Sequence, residues 1–249
     1  MSKGNTLMLY QITENTFFTP CSAETDSPNL GYVLGKNGSV MVDSGNSPAQ
    51  VKEYLEALSE NGLPVPKYVF LSHHHWDHCF GLASVDDRMI SIAGSRTNAK
   101  LREQQSYIWD EEHLNDYCED NRIPLFCKPH IMLEYPDLST INVHTAMIEF
   151  EEELRIELGD ETVIMKHLTS GHTDDCYYLL AEKAKVLFLG DGNSEEVVGT
   201  DWIDHKEPLE GLINELEDID FDYCLTGHVP IYTKQELLVN LKERLSAVS

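Results

Sequence analysis

The sequence predicts an α/β fold made of two similar halves. Short β-rich runs alternate with helical segments, and several of these runs end in a loop that carries a histidine or an aspartate. Strand-rich blocks occur on both sides of a long irregular segment, residues 95–140, and no internal sequence period is evident. With 249 residues and a hydrophobic fraction of 41%, the chain can bury a sizeable core. We expect one domain over residues 1–249, with residues 95–140 as an insertion over the core.

The chain is strongly acidic, with 43 Asp and Glu against 18 Lys and Arg and a net charge of -25. This charge repels phosphate backbones and anionic membrane surfaces, so we expect no nucleic-acid or membrane partner. The six cysteines form no C-x-x-C pair, MSKGNTLMLYQ lacks the apolar run of a signal peptide, and no apolar stretch approaches the roughly 20 residues that span a bilayer. These features indicate a reduced, cytoplasmic protein, and they leave its oligomeric state open.

The first half of the chain predicts a hairpin, a helix and a strand. LGYVLGKNGSVMVDSG holds two β-rich runs joined at Asn37-Gly38, a dipeptide that favours a tight hairpin turn. Ser47 then provides a helix N-cap, with Pro48 at the first helical position. The β-branched run KYVFLS, residues 67–72, is a short strand that leads straight into a cluster of histidines.

Strands return on both sides of the irregular segment. Before it, MISIAG is a further strand, and after it the strand candidates are LRIEL, TVIMKHL, CYYLLAE, KVLFLGD and YCLTGH. Helices are expected from about Glu207 to Leu216 and from Lys234 onward.

The stretch FLSHHHWDHCFG concentrates potential metal ligands. Alternate side chains of extended backbone share a face, so His73 and His75 can converge while His74 points away. Asp77 continues the alternation, and His78 can turn in beside it if a helix begins there. Imidazole and carboxylate donors without thiolate suit Zn(II) first, and they also accept Fe(II) or Mn(II).

Three more candidates follow predicted strands: His172 in TSGHTDD, Asp191 in FLGDG and His228 in LTGHVP. Each one alone is more often structural, but the whole series is typical of a metal site. The order H-x-H-x-D-H, GH, GD, GH resembles the metallo-β-lactamase superfamily, and HHHWDH, SGHT and LFLGD are especially similar to the glyoxalase II branch.

The resemblance implies a four-layer αββα sandwich, in which two mixed β-sheets are flanked by helices. It also implies two metal sites, one formed by His73, His75 and His172, the other by Asp77, His78 and His228, with Asp191 bridging both. Asp77 is in addition the candidate catalytic residue, and Asp43 in VDSG would orient a ligand histidine from outside the metal sites. Two cations about 3.5 to 4 Å apart provide a hydroxide nucleophile near neutral pH.

The resemblance points to a binuclear hydrolase of a carboxylic ester-type bond, a thioester or a lactone. True β-lactamases of this fold lack the bridging aspartate that Asp191 supplies, and di-iron oxygen reductases typically show Glu where His75 stands. Glyoxalase II continues into a C-terminal helical domain, whereas 21 residues follow His228 here. The alternatives are a phosphoester or phosphodiester hydrolase, a di-iron oxidoreductase and a non-catalytic metal-binding sensor.

The insertion at residues 95–140 is a candidate lid over the metal ions. Its aromatic side chains could form apolar walls of a substrate site, or they could pack the small core of the insertion itself. These side chains are Tyr107, Trp109, Tyr117, Phe126 and Tyr135.

Overall fold

The computed structural model describes residues 7–248, which form two mixed β-sheets with helices on their outer faces. The first sheet follows chain order: β1 (Tyr10–Thr13), β2 (Thr16–Thr19), β3 (Leu30–Gly35), β4 (Gly38–Val42), β5 (Tyr68–Leu71), β6 (Ile90–Gly94) and β7 (Ile148–Phe150). Strands β1 to β4 pair antiparallel, and β4 to β7 pair parallel. This change of direction makes the sheet mixed.

The second sheet comes from the later part of the chain. Its strands are β8 (Glu153–Glu157), β9 (Thr162–His167), β10 (Tyr177–Ala181), β11 (Val186–Gly190), β14 (Tyr223–Thr226) and β15 (Tyr232–Thr233). They lie in the order β15-β14-β11-β10-β9-β8, and only β11 and β14 pair parallel among these described strands. A separate hairpin joins β12 (Glu196–Val198) to β13 (Asp201–Ile203).

Seven helices complete the described part of the chain: α1 (Pro48–Glu60), α2 (Trp76–Cys79), α3 (Ser95–Gln104), α4 (Glu111–Glu119), α5 (Cys127–Glu134), α6 (Lys206–Asp218) and α7 (Lys234–Ala247). Two 3-10 segments, Phe80–Ser84 and Leu138–Thr140, lie between them. Within residues 7–248, no helix combines the length and the apolar composition needed to cross a bilayer.

Three apolar layers hold the sheets and helices together. The middle layer lies between the two sheets, where Val40 and Phe70 of the first sheet belong to one buried cluster with Phe188 of the second. A second layer packs α1, α3 and the following helices on the first sheet, and a third packs α6 and α7 on the second sheet. The layers confirm the αββα sandwich that the resemblance implies.

The local predictions of the first half are confirmed, with a shift of one residue in the hairpin. Ser47 caps α1, because its side chain accepts a hydrogen bond from the Gln50 amide at 3.3 Å. The hairpin turn consists of Lys36 and Asn37, since Gly38 already pairs with Gly35 in the ladder. The turn therefore lies one residue earlier than the Asn37-Gly38 dipeptide.

Residues 95–140 are more regular than their sequence suggests, because α3, α4 and α5 lie within them. The buried layer on the first sheet includes Trp109, Tyr117 and Tyr135, each at most 8% exposed. These three aromatic side chains therefore pack a core. The role of the insertion as a lid stays a prediction. The N-terminal stretch MSKGNTLMLYQ, which lacks the apolar run of a signal peptide, begins with six residues outside the described range.

Candidate metal centre

The loops that follow five strands meet at one edge of the sandwich. Because β4 and β5 run parallel, as do β11 and β14, their carboxyl ends deliver side chains to the same place. The segments that directly follow β4, β5, β9, β11 and β14 carry all the candidate residues from the sequence: Asp43, His73, His75, Asp77, His78, His172, Asp191 and His228.

Three histidines form the first ligand group. His73, His75 and His172 each offer one ring nitrogen, and these atoms lie within 4.8 Å of one another. His172 Nε2 lies 2.9 Å from His75 Nδ1, and the rings of His73 and His75 have centroids 4.7 Å apart. The alternation expected for the strand end therefore brings His73 and His75 together.

The second group contains Asp77, His78, Asp191 and His228, whose ligand atoms also lie within 4.8 Å of one another. Helix α2 begins at Trp76 and turns both Asp77 and His78 inward. Asp77 Oδ2 is 2.9 Å from His228 Nε2 and 3.1 Å from His78 Nε2. The two groups are thus adjacent, and the second one carries both carboxylates.

Hydrogen bonds behind the histidines orient their rings. Asp43, in a left-handed conformation with φ of 62°, accepts a hydrogen bond from His78 Nδ1 at 2.8 Å and one from the Ser72 amide at 2.7 Å. His172 Nδ1 donates to the Glu195 carbonyl at 2.8 Å. Both contacts leave Nε2 of the histidine directed at the cluster, as in many protein metal sites.

Glycines allow the chain to approach the cluster closely. A Cβ on Gly227, the residue before His228, would overlap Asp191 Oδ1 and would lie 2.9 Å from His78 Cε1. Gly190 has a backbone φ of 52°, a conformation that residues other than glycine rarely adopt. The Gly190-Asp191 and Gly227-His228 pairs in the sequence therefore have a steric reason.

His74 turns away from both groups, as the alternation predicts. Its Nδ1 lies 2.9 Å from Asp175 Oδ1, and its backbone amide donates to Asp175 Oδ2 at 3.0 Å. Thr173 and Lys100 also contact this fully buried carboxylate. Burial alone would raise the pKa of Asp175, but His74 and Lys100 hold it well below its usual range. The second aspartate of TSGHTDD thus has a structural role that the sequence analysis did not assign.

Charges divide the histidines into two kinds. Burial, together with the neighbouring histidines, holds the pKa of His73 and of His75 well below 6.5, so both rings are neutral donors. Burial would also lower the pKa of His228, but Asp191 and Asp77 raise it to about 9. Against the same burial effect, these carboxylates raise the pKa of His78 well above 6.5. The second group therefore attracts positive charge.

The arrangement fits divalent cations. Within the described residues, Nε2 of His73 is buried without a hydrogen-bond partner, an arrangement that is costly unless something else binds it. Nitrogen and carboxylate donors at these separations are the ligands that zinc and related ions take. The cluster is capable of metal binding.

A cavity of about 430 Å³ opens directly onto the cluster. Among the described residues it is lined by His75, Asp77, His172, Asp191 and His228, so these candidate ligands are accessible from it. Of the five aromatic residues proposed as walls, only Phe126 lines this cavity; Tyr107 lines a smaller neighbouring one of about 280 Å³.

The cavity wall also includes residues that the sequence analysis did not indicate, among them Trp202 and Asp26. Trp202 lies on the β12–β13 hairpin, whose three-residue strands carry little sequence signal. Asp26 has a left-handed backbone with φ of 53°, and burial, followed by the charge of Asp77, raises its pKa to about 7. A strained non-glycine residue at a cavity is a recognised mark of functional sites, but it is not visible in the sequence.

Two mixed sheets between helical layers, with a cluster of histidines and aspartates at the strand ends that is capable of binding metal ions, define an αββα protein. The sequence profile of the metallo-beta-lactamase superfamily matches residues 24–228, and the chain belongs to this superfamily. The resemblance seen in the motifs is thereby confirmed at the level of the superfamily. No curated protein matches the chain significantly.

Solved structures share this fold at low sequence identity. A metallo-beta-lactamase from Pontibacter korlensis is 16% identical with a TM-score of 0.67, covering 98% of this chain and 100% of its own. The DIM-1 metallo-beta-lactamase is 16% identical with a TM-score of 0.64 and 98% coverage of both chains. The sec-alkylsulfatase Pisa1 from Pseudomonas sp. is 14% identical with a TM-score of 0.64, over 96% of this chain and 42% of that one.

Proposed function

We propose that the protein is a binuclear metal-dependent hydrolase that cleaves a carboxylic ester-type bond, a thioester or a lactone, in a small-molecule substrate in the cytoplasm. The observation that carries the proposal is the position of Asp191. One of its oxygens, Oδ2, lies 3.8 Å from Nε2 of His172 and 3.5 Å from Nε2 of His228, so one carboxylate reaches both ligand groups.

In this proposal the first ion, zinc as first choice, is held by His73, His75 and His172, and the second by Asp77, His78 and His228, with Asp191 shared. When bound, the two ions would supply a hydroxide nucleophile near neutral pH and offset the charge on the attacked carbonyl oxygen. Five imidazoles against two carboxylates favour zinc, while Fe(II) and Mn(II) are also compatible.

Residues around this centre have two roles: some orient the ligand rings, and one accepts a proton. Asp43 fixes the His78 ring through Nδ1, and the Glu195 carbonyl fixes the His172 ring in the same way. Asp77 lines the cavity with its carboxylate against His78 and His228. We assign it to accept the proton that is released as the nucleophile forms.

The test is a substrate screen with the zinc-loaded protein, covering thioesters, lactones, β-lactams and phosphodiesters. We expect the highest kcat/KM on a thioester or a lactone, loss of this activity with a strong chelator, and recovery with zinc. Asp77→Asn should lower kcat strongly, and Asp116→Asn, an exposed aspartate of α4, is the control. Preferential cleavage of phosphodiesters would contradict the proposal, and two bound ions without turnover of any substrate would indicate a sensor.

A further inference from the structure

The geometry points to an uncharged, apolar acyl group as the part of the substrate that the cavity recognises, with Phe126 and Trp202 as the residues that determine this specificity. The inference deepens the proposed function and rests on it in one respect: the bond to be cleaved lies at the metal cluster. In this inference, the cavity beside that cluster holds the group attached to the reacting carbonyl.

An aromatic pair forms the outer wall of the cavity. The rings of Phe126 and Trp202 have centroids 5.4 Å apart and planes inclined by 33°. Although they touch each other, Trp202 is 55% exposed and Phe126 is 38% exposed. Large aromatic side chains that remain exposed beside a cavity mark a binding surface, whereas Trp109 and Tyr117 of the same region are buried.

The two segments that carry this pair are fastened to each other. Asn121 Nδ2 donates to the Val197 carbonyl at 3.3 Å, and the Gly199 amide donates back to Asn121 Oδ1 at 2.8 Å. These bonds join the segment before Phe126 to the hairpin that carries Trp202. Because the wall is already assembled, binding does not have to order it, and more of the contact energy appears as affinity.

Much of the remaining lining of the cavity is apolar. It includes Ala23, Ile123, Pro124, Val197 and Val229. Sites for small molecules are typically cavities of this size with apolar walls and a few polar groups that set orientation. The walls therefore favour a chain or ring of carbon atoms over a polar substituent.

Charge in the cavity disfavours an anionic substituent. Among the described residues, Arg122 is the only lysine or arginine in the lining, and its guanidinium already contacts Asp120 at 2.7 Å and the Tyr117 ring at 4.4 Å. Glu195 lies 3.6 Å from Arg244, whereas the Asp26 side chain has no hydrogen bond or ion pair among residues 7–248. Within the lining that the structure describes, a carboxylate or phosphate on the acyl group would therefore find no lysine or arginine available to pair with it.

The first experiment measures kcat/KM of the zinc-loaded protein on thioesters with acyl chains of two to eight carbons. We expect a rise of about fourfold per buried methylene until the cavity is filled. A terminal carboxylate on the six-carbon acyl chain should lower kcat/KM at least tenfold. Trp202→Ala and Phe126→Ala should lower kcat/KM at least tenfold more for the eight-carbon than for the two-carbon ester, and Trp202→Phe should restore most of the loss.

Ile203→Ala is the matched control, since Ile203 follows Trp202 on the same strand, is 37% exposed and does not line the cavity. It should keep the chain-length dependence of the wild type. A wild-type rate that does not depend on chain length, full activity on the carboxylate-terminated ester, or an equal loss in Ile203→Ala would overturn the inference.

A binding measurement separates this inference from the proposed function. Primary alkyl amides of two to eight carbons replace the ester with a bond that is not cleaved, and titration calorimetry gives their Kd for wild type and Trp202→Ala. Tighter binding with chain length that is weakened in Trp202→Ala, together with no turnover of any ester, supports the cavity assignment and refutes the hydrolase. Ester turnover with amide binding that is independent of chain length refutes the cavity assignment and supports the hydrolase.

Discussion

Asp191 and His172 follow different strands of the second sheet, yet Asp191 Oδ2 lies 3.8 Å from His172 Nε2. The same oxygen lies 3.5 Å from His228 Nε2, in the other ligand group. Without this carboxylate, the described candidates separate into two sets of three ligands. Asp191 therefore connects the two halves of the proposed centre.

Replacing Asp191 should uncouple the two sites. Asp191→Ser leaves three ligands for each ion, which is enough for a catalytic zinc, so we expect part of the zinc to remain. Turnover of the best substrate should fall at least about a hundredfold, because the nucleophile loses its fixed position. Asp191→Ala should weaken both sites together. Bound zinc and kcat/KM are measured on the same samples, and a variant with both ions and a near-normal rate would disprove the bridge.

Gly227 offers a steric test of the centre that changes no ligand. Gly227→Ala places a methyl group on Asp191 Oδ1, so we expect lower zinc affinity and lower activity. Gly171→Ala is its control: Gly171 directly precedes His172, and its added Cβ would meet only Pro208, at 3.8 Å. Zinc titration of the two variants should separate them by at least tenfold in Kd, and equal Kd values would contradict the packing around Asp191.

The three adjacent histidines should differ sharply when each is replaced by alanine. His73→Ala and His75→Ala should remove the first metal ion. His74→Ala should retain the metal content, but it should lower the unfolding free energy by about 1 to 3 kcal/mol, because the buried Asp175 loses a hydrogen-bond partner. Elemental analysis and denaturant unfolding measure the two effects. Similar metal loss in all three variants would show that the alternation does not select the ligands.

Metal uptake should release protons at pH 7. In the metal-free protein, Asp191 and Asp77 outweigh the effect of burial and raise the pKa of His228 to about 9, so its ring carries a proton below that pH. A metal ion must displace this proton, and its affinity therefore falls as the pH drops below about 9. Calorimetry in buffers of different ionisation enthalpy counts the protons. Affinity that is constant between pH 6 and pH 9 would contradict this protonation state.

Local patterns in the sequence predicted what depends on a single strand or helix. The alternation of extended backbone separated His74 from His73 and His75, and Ser47 marked the start of α1. The family resemblance predicted how the other candidate ligands are grouped, because the four-layer fold places the strand ends of both sheets at one edge. The grouping of the candidate ligands in the structure agrees with that prediction.

Contacts between distant segments could not be predicted in the same way. Asp175 holds His74 across 101 positions, and Asn121 fastens the β12–β13 hairpin across 76 positions to Val197. Such contacts depend on sheet order and loop packing, which the spacing of residues in the sequence does not predict. Trp202 was missed because its three-residue strand carries little sequence signal, while Trp109 and Tyr117 pack a core because the helices of residues 95–140 are regular enough to bury them.

The metal content of the protein tests the central claim most directly. Elemental analysis is applied to protein purified without added metal, then again after reconstitution with zinc and removal of excess ion. We expect about two divalent ions per chain, because seven nitrogen and oxygen ligands exceed what one tetrahedral zinc can use. A content well under one ion per chain, with no uptake on reconstitution, would contradict the metal centre and the hydrolase built on it.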